Sequence, residues 1–357
     1  MSKAIKILFV VEKLRGQGGM ENVTRQVVEQ FNINGFDAGL FVLDSKESIK
    51  SDNWCDGIQW AFSRCVTRNK KISDFVHVLR LAKFIRKNKI TRVIALNTVP
   101  CFIARKAINL SRQKSILYTW MHLPPKNRYR PHYLLKADEH LAISNEIKKQ
   151  LIDLGARPEH IHVIFNPVQS TNVSIHRPVS ARFLFIGRVH FEEQKQLKDL
   201  FDALKNIEGQ WTLDIVGDGP DIDRCQAYVE ALGIANNIRW HGWQVSPWNY
   251  VLQVLQEVSC LVLTSKHEGF PLTLLEAMAR GVFCVSSDCV SGPSEIITEG
   301  TNGLLYQVND IAHLSNILQN IVDGYAFPSI ETIKSSVKDF YLEYYMDRVK
   351  KIMIRES

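Results

Sequence analysis

KHEGFPLTLLEAMARG, residues 266–281, follows the apolar run Cys260-Leu-Val-Leu-Thr264. A short apolar run without alternation reads as a strand buried on both faces, as in a parallel sheet. The chain then turns at Gly269 and enters a helix. Pro271 stands near its first turn, where a missing N–H costs nothing. Glu268 falls in the turn, and Glu276 one to two turns into the helix. The free N–H groups near Leu272 and Thr273 would point back toward the strand end, which makes an anion site flanked by two carboxylates. A diphosphate with a polyhydroxylated sugar on one side and a ribose on the other suits that chemistry.

The same alternation extends in both directions. Upstream, Arg182–Gly187 reads as a strand, Gln196–Asn206 as a helix, and Trp211–Val216 as a strand ending in Gly217-Asp-Gly219. A helix Ile222–Leu232, a strand Ile238–Trp240 and a helix Trp248–Glu257 follow. Downstream lie the strand segments Phe283–Ser286, Ser294–Thr298 and Gly303–Tyr306, then a helix Ile311–Val322. The amino-terminal half repeats the scheme. Ala4–Val11 is a strand, followed by a loop with glycines at 16, 18 and 19 and a helix through Val23, Val27, Val28 and Phe31. Phe36–Leu43 and Arg92–Leu96 read as strands, and Pro100–Leu110 as a helix. Ser73–Arg86 reads as an amphipathic helix burying Phe75, Val78, Leu79, Ala82 and Ile85. Ser115–Trp120 is a strand that runs out into Met121-His122-Leu-Pro-Pro125, and Lys126-Asn-Arg-Tyr-Arg130 is a basic loop holding one aromatic. His140–Ile143, a helix Asn145–Leu154 capped by Ser144, and Ile161–Phe165 end this half. Strands alternating with helices throughout predict an α/β chain of two Rossmann-like parallel-sheet domains facing across a cleft. The predicted boundaries are 1–168, a polar linker 169–180, 181–335, and a last segment 336–357 whose helix Leu342–Ile354 returns to the first domain. Ligands in such sheets bind outside the carboxyl ends of the strands.

Composition narrows the class. No apolar run approaches the ~20 residues that span a bilayer. The opening MSKAIKILFVVEKL is interrupted by Lys6 and has no small-residue cleavage site, so it reads as a strand rather than a signal peptide. Seven cysteines, at 55, 65, 101, 225, 260, 284 and 289, form no C-x-x-C pair, which fits reduced thiols in a cytosolic protein. The net charge of +7 is uneven: residues 1–168 hold 28 Lys+Arg against 14 Asp+Glu, and residues 169–357 hold 16 against 23. A half at +14 suits an anionic partner, either nucleic acid or an anionic membrane surface. Glycines at 16, 18 and 19 do not make G-x-G-x-x-G, so a nicotinamide site is poorly supported.

Two glutamates separated by seven residues mean little alone. Set in strand, Gly-Phe-Pro turn and helix start, Glu268–Glu276 resembles the donor-binding element of the retaining, two-domain (GT-B) glycosyltransferases of family 4. Gly187-Arg188 with Gln194-Lys195 resembles that family's phosphate clamp, and Gly217-Asp-Gly-Pro220 its nucleotide loop. Gly18-Gly19-Met20-Glu21 resembles its amino-terminal glycine loop, and His122 its first-domain active-site histidine. The resemblance spans nearly the whole chain in order. At finer grain it is similar to the lipopolysaccharide-core 1,6-galactosyltransferases. Lys198-Asp-Leu-Phe-Asp202, His241-Gly-Trp-Gln244 with Pro247-Trp248, and Ser286-Ser-Asp-Cys-Val-Ser-Gly-Pro293 carry that closer match.

The resemblance implies a hexosyltransferase, with a UDP-hexose, UDP-galactose in the closer match, as co-substrate. Its acceptor would be a sugar of the lipopolysaccharide core. It implies no nucleic acid, and a cytoplasmic protein peripheral on the anionic face of the inner membrane, met by Lys126, Arg128 and Arg130. Gly18, Gly19, Arg188, Lys195, Leu272 and Thr273 would hold the diphosphate, Arg188 binding two oxygens at once and Lys195 acting as a point charge. Gly217, Trp243 and Glu276 would hold base and ribose, with Trp243 stacking. Glu268, Gly269, Phe270 and Pro271 would meet the transferred sugar, so that Glu268 and His122 are the implied catalytic pair. These cations would neutralise the departing nucleotide without a metal. Asp221-Ile-Asp223 is formally an Asp-x-Asp metal motif, but it stands at a predicted helix start, where acids favour the positive dipole end.

Overall fold

In the computed structural model, residues 5–12, 19–44, 57–65, 67 and 69–355 are described. They form two compact units, one of residues 1–166 with 343–357 and the other of residues 167–342.

In the first unit the elements run β1 (Lys6–Glu12), α1 (Gly19–Ile33), β2 (Asp37–Asp44), β3 (Gln59–Arg64), α2 (Lys70–Asn88), β4 (Arg92–Ala95), α3 (Thr98–Ser111), β5 (Ile116–Met121), β6 (Glu139–Ala142), α4 (Asn145–Asp153) and β7 (Ile161–Val163). The strands pair parallel in the order β3-β2-β1-β4-β5-β6-β7. Strand order reverses beside β1, so the β1/β4 boundary is the switch point where such sheets open a crevice. Phe9, Phe31 and Trp120 pack edge-on or tilted in the core.

Sequence periodicity placed Val78, Ala82 and Ile85 correctly on the inner face of α2, but not Phe75 and Leu79. That helix buries Ser73, His77, Val78, Leu81, Ala82 and Ile85, whereas Phe75 and Leu79 are exposed. The cause is the edge strand β3, which sequence patterning did not reveal. Ser63 of β3 meets His77 Nδ1 at 2.7 Å, and Ser73 meets His77 Nε2 at 3.2 Å. The polar pair is satisfied inside and turns the apolar pair out.

The second unit continues with β8 (Ala181–Ile186), α5 (Leu197–Lys205), β9 (Trp211–Val216), α6 (Ile222–Ala231), β10 (Ile238–Trp240), α7 (Pro247–Tyr250), β11 (Cys260–Leu263), α8 (Leu272–Met278), β12 (Phe283–Ser287), α9 (Pro293–Ile296), β13 (Gly303–Tyr306), α10 (Ile311–Val322) and α11 (Ile330–Ser336). Its parallel sheet is ordered β10-β9-β8-β11-β12-β13, with the switch point between β8 and β11. Of residues 294–298, expected as a strand, the first three lie instead in α9, because Pro293 sits at its first turn after Gly292 with φ +104°. Segment 169–180 packs within this unit: Ile175 is buried, its N–H reaches Arg280 O, and His176 O accepts from Val258.

The last helix, α12 (Leu342–Ile354), belongs with the first unit from Glu343 on. Arg92 donates to the carbonyls of Met353 and Arg355, and Arg348 to that of Ile164. No helix among the described residues is long and apolar enough to cross a membrane. The six described cysteines are free, and all but Cys65 are buried.

Candidate functional site

The carboxyl ends of β8, β9 and β10 are laced together by their own backbone. Gly187 N–H bonds Val216 O at 3.1 Å, Gly217 N–H bonds Gly242 O at 2.9 Å, and Val189 N–H bonds Asp218 O at 3.0 Å. The crossing is so close that a Cβ on Gly217, at φ +152°, would lie 1.8 Å from Gly187 O. Only glycine permits it.

Across the switch point the loops after β8 and β11 meet. Lys195 Nζ donates to Glu268 Oε1 at 2.7 Å, and Ser265 Oγ donates to the same oxygen at 2.6 Å. The two side chains of the pair are only 14% and 9% exposed. A carboxylate this buried needs its cation, and a cation this buried keeps strong pairing energy. The turn is fixed from β12 and the loop after it: Ser287 Oγ donates to Ser265 O and Ser291 Oγ to Gly269 O, each at 2.6 Å. Arg188, in the same loop as Lys195, is exposed and has no partner among the described residues.

Pro271 caps α8, and the N–H groups of Leu272 and Thr273 meet no acceptor among the described residues. Phe270 turns its ring into the unit against Phe340, with centroids 5.6 Å apart, so the Gly269–Pro271 turn presents backbone rather than an aromatic face. Further along α8, Glu276 Oε2 accepts from Trp248 Nε1 at 2.9 Å, while the Arg280 guanidinium lies 4.9 Å from the Trp248 ring. Burial pushes the Glu276 carboxyl up, against the opposing hydrogen bond from Trp248 and the charge of Arg280. Trp248 is thus a support for Glu276 that motif reading noted only as part of a matching stretch. Trp243 is 57% exposed just past β10, which rules out core packing as its role.

Asp221 has a structural role. Its Oδ2 accepts the Phe191 N–H at 2.9 Å and so holds the loop after β8, while Asp223 lies in the first turn of α6. Among the described residues no three His, Cys, Asp or Glu side chains converge as a metal site.

In the first unit, His122 stands at the end of β5. It is buried, its ring centroid lies 4.3 Å from that of Trp120, and its Nε2 has no partner among the described residues. Burial pulls its pKa down to about 3, so the imidazole is neutral at physiological pH. Gly19 opens α1, whereas Gly18 lies outside the described residues. At the β1/β4 switch point Asn97 Nδ2 donates to Glu12 Oε2 at 3.0 Å. Motif reading passed over this pair, and only the topology marks it. Lys126 and Arg130 are exposed and Arg128 half-buried. The Arg130 guanidinium bonds the Tyr133 hydroxyl and lies 5.0 Å from the Tyr129 ring.

Comparison with known proteins supplies an independent line. The family model for group 1 glycosyl transferases matches residues 173–330, and that for Glycosyltransferase Family 4 matches residues 17–171. Lipopolysaccharide 1,6-galactosyltransferase of Escherichia coli K12 is 38% identical over 98% of both chains. The Salmonella typhimurium protein of the same name is 36% identical over 94% of this chain and 95% of its own. The apo structure of the lipopolysaccharide outer core galactosyltransferase WaaB superposes with a TM-score of 0.91 at 34% identity, covering 97% of this chain and 98% of that one. Anabaena HepE, solved in complex with UDP, shares the fold at a TM-score of 0.80 and 17% identity, over 98% of this chain and 99% of its own.

Proposed function

The chain belongs to the family 4, group 1 glycosyltransferases and is a hexosyltransferase, and we propose that it moves galactose from UDP-galactose to a sugar of the lipopolysaccharide core with retention of configuration. The observation that carries the donor site is the Lys195–Glu268 pair at the switch point, set beside unpartnered Arg188 and the two free N–H groups of α8. Arg188, Lys195 and those N–H groups bind the diphosphate and take up its charge as it departs, so the reaction needs no metal. Glu276, oriented by Trp248, accepts from the ribose hydroxyls, and the exposed face of Trp243 stacks on uracil. Glu268 accepts from hydroxyls of the hexose.

Transfer proceeds on one face of the sugar. The bond from the anomeric carbon to the phosphate oxygen breaks, and the acceptor oxygen bonds to that carbon on the same side. The acceptor's proton passes to the departing phosphate oxygen, through a transition state with oxocarbenium character. His122, neutral, directs a sugar hydroxyl and does not act as a base. The acceptor, a glycan on a lipid, is met at the cytoplasmic face of the inner membrane. A thermal-shift panel of nucleotide sugars tests this. UDP and UDP-galactose should raise the melting temperature, and UDP-galactose should be turned over faster than UDP-glucose. Protection by adenine or guanine nucleotides in place of UDP would overturn the donor site, and faster turnover of UDP-glucose would overturn the sugar.

A further inference from the structure

The outer face of α2 has no part in the donor chemistry, yet it is built in a way that solvent alone does not explain. Ile72, Phe75 and Leu79 stand at helical spacing on one stripe and are 52%, 61% and 44% exposed, while the polar Ser73 and His77 of the same helix are buried. The stripe continues, at the same spacing, into Lys83 and Arg86. Leu110 of α3, more than half exposed, lies beside Leu79 in a shallow groove of about 440 Å³ rimmed by Lys83, Arg86 and Lys87. Along its length α2 carries Lys70, Lys71, Arg80, Lys83, Arg86 and Lys87 against the single acid Asp74.

The pattern runs on past the helix. At its amino end the Lys70 ammonium sits 4.4 Å from the ring of Tyr129, itself more than half exposed. Tyr133 stacks on Phe102 at 4.4 Å, and Lys106 lies 4.4 Å from the other ring of that stack. Apolar and aromatic groups with cations set among them, on α2, α3 and the 129–133 segment of one unit, match the layered chemistry of a bilayer interface. Apolar side chains enter the acyl boundary, tyrosines settle at the headgroups, and lysine and arginine stems extend along the apolar groups to reach phosphate. A second copy of this chain is a poor occupant, because pairing two such stripes would set their cations against each other.

We propose that this face of α2 and α3 docks the first unit on an anionic lipid bilayer, with Ile72, Phe75, Leu79 and Leu110 entering the headgroup layer and Lys83, Arg86 and Lys87 meeting lipid phosphates. The proposal rests on the functional reading only in that a lipid-borne acceptor gives the enzyme reason to be there. Flotation of the full chain tests it, with vesicles of phosphatidylcholine alone and of phosphatidylcholine mixed with phosphatidylglycerol. The chain should float with the anionic vesicles and weakly or not at all with the neutral ones. Phe75→Ser with Leu79→Ser should cut partitioning on the order of tenfold or more at low salt. Lys83→Glu with Lys87→Glu should remove the preference for anionic lipid. Each exposed charge lost contributes on the order of fivefold.

Both variants should keep the UDP affinity and melting temperature of the parent, since all four positions are exposed. Failure of the parent to float, or flotation of both variants like the parent, overturns the proposal. So does loss in the charge variant with none in the apolar one, which would mark a plain electrostatic patch for polyanions. A concentration-dependent dimer in ultracentrifugation, abolished by the apolar substitutions while vesicle binding persists, would assign the face to self-association instead. The two readings fail separately: flotation without UDP protection leaves the docking face and removes the donor site, and UDP protection without flotation does the reverse.

Discussion

Lys195→Ala, measured alone and in a Glu268→Gln background, separates two roles that the 2.7 Å contact allows. In the first, Lys195 binds the donor diphosphate. A charge-assisted hydrogen bond of this kind contributes on the order of 1.5–3 kcal/mol, so UDP should bind roughly 10- to 150-fold more weakly without it. In the second, Lys195 only neutralises Glu268, whose carboxylate is nine-tenths buried and also accepts from Ser265 Oγ. Removing a partner from such a pair destabilises by about 3–5 kcal/mol. It would also place an uncompensated anion beside the incoming phosphates, again weakening UDP. The single substitution therefore cannot tell the roles apart. In Glu268→Gln the buried anion is gone. If Lys195 binds phosphate, the same tenfold or greater loss must reappear there, and Glu268→Gln by itself must leave UDP affinity unchanged or tighter because Lys195 is released. Turnover of the nucleotide sugar should meanwhile fall on the order of a hundredfold, from the lost acceptor of sugar hydroxyls. Isothermal calorimetry with UDP on the four proteins completes the cycle, with melting temperatures as a folding control. A loss in Lys195→Ala that vanishes in the Gln background would refute the phosphate role and leave Lys195 as a counter-ion.

His122 and His140 are held down to about 3 and about 4 by burial, so the unfolded chain binds protons that the folded one refuses between those values and 6.5. Stability should be full above pH 6.5 and fall by about 1.4 kcal/mol per histidine per pH unit below it; denaturant midpoints that stay level from pH 7 to 5 would contradict this. Trp248→Phe removes the one hydrogen bond that opposes the upward shift of Glu276. UDP affinity should weaken several-fold and fall off at a higher pH than in the parent, and an unchanged pH profile by calorimetry would remove Glu276 from the ribose site. Turnover should survive EDTA, since Arg188, Lys195 and the first N–H groups of α8 are placed to take up the diphosphate charge; inactivation by chelator with rescue by Mn²⁺ would make Asp221 and Asp223 the candidate ligands.

Much of the architecture was legible because parallel strands buried on both faces leave continuous apolar runs. Cys260–Leu263, Phe183–Phe185 and Leu117–Tyr118 are such runs, and each lies in a buried strand. Edge strand β3 was not legible, because Gln59–Arg64 is short and partly polar and is a strand by virtue of pairing with β2, which local pattern does not show. Local pattern likewise did not show that Phe75 and Leu79 of α2 lie outside, while Val78, Ala82 and Ile85 lie inside as expected: periodicity counts apolar residues and gives no weight to a histidine satisfied on both nitrogens. Ser294 was assigned to a strand for want of weight on the Gly-Pro start that makes α9. In the donor site, strand ends and glycines could be read in place. Which charged groups would touch could not, since Lys195 and Glu268 lie 73 positions apart and meet only because β8 and β11 are neighbours at the switch point.

That meeting bears on how the donor would be bound. A phosphate clamp and a sugar clamp built from separate side chains would act independently. Here one ammonium contacts the carboxylate assigned to the sugar, and among the described residues the carboxylate's one other hydrogen-bond partner is a serine from its own turn. A lysine has three donors on a rotatable stem, so it can keep Glu268 while reaching a phosphate oxygen, or exchange one for the other. Either way the charge on the diphosphate alters what Glu268 must be compensated by. Hydroxyls of the hexose are the groups at hand to do it. Binding of the nucleotide and placement of the sugar would then be one event, and release of UDP after transfer would return the ammonium to the carboxylate. Two serines fix the backbone of this turn by short bonds, Ser287 at the end of β12 to Ser265 O and Ser291 in the loop beyond it to Gly269 O. The exchange would therefore be confined to the two charged side chains, with the loop that carries Glu268 held still.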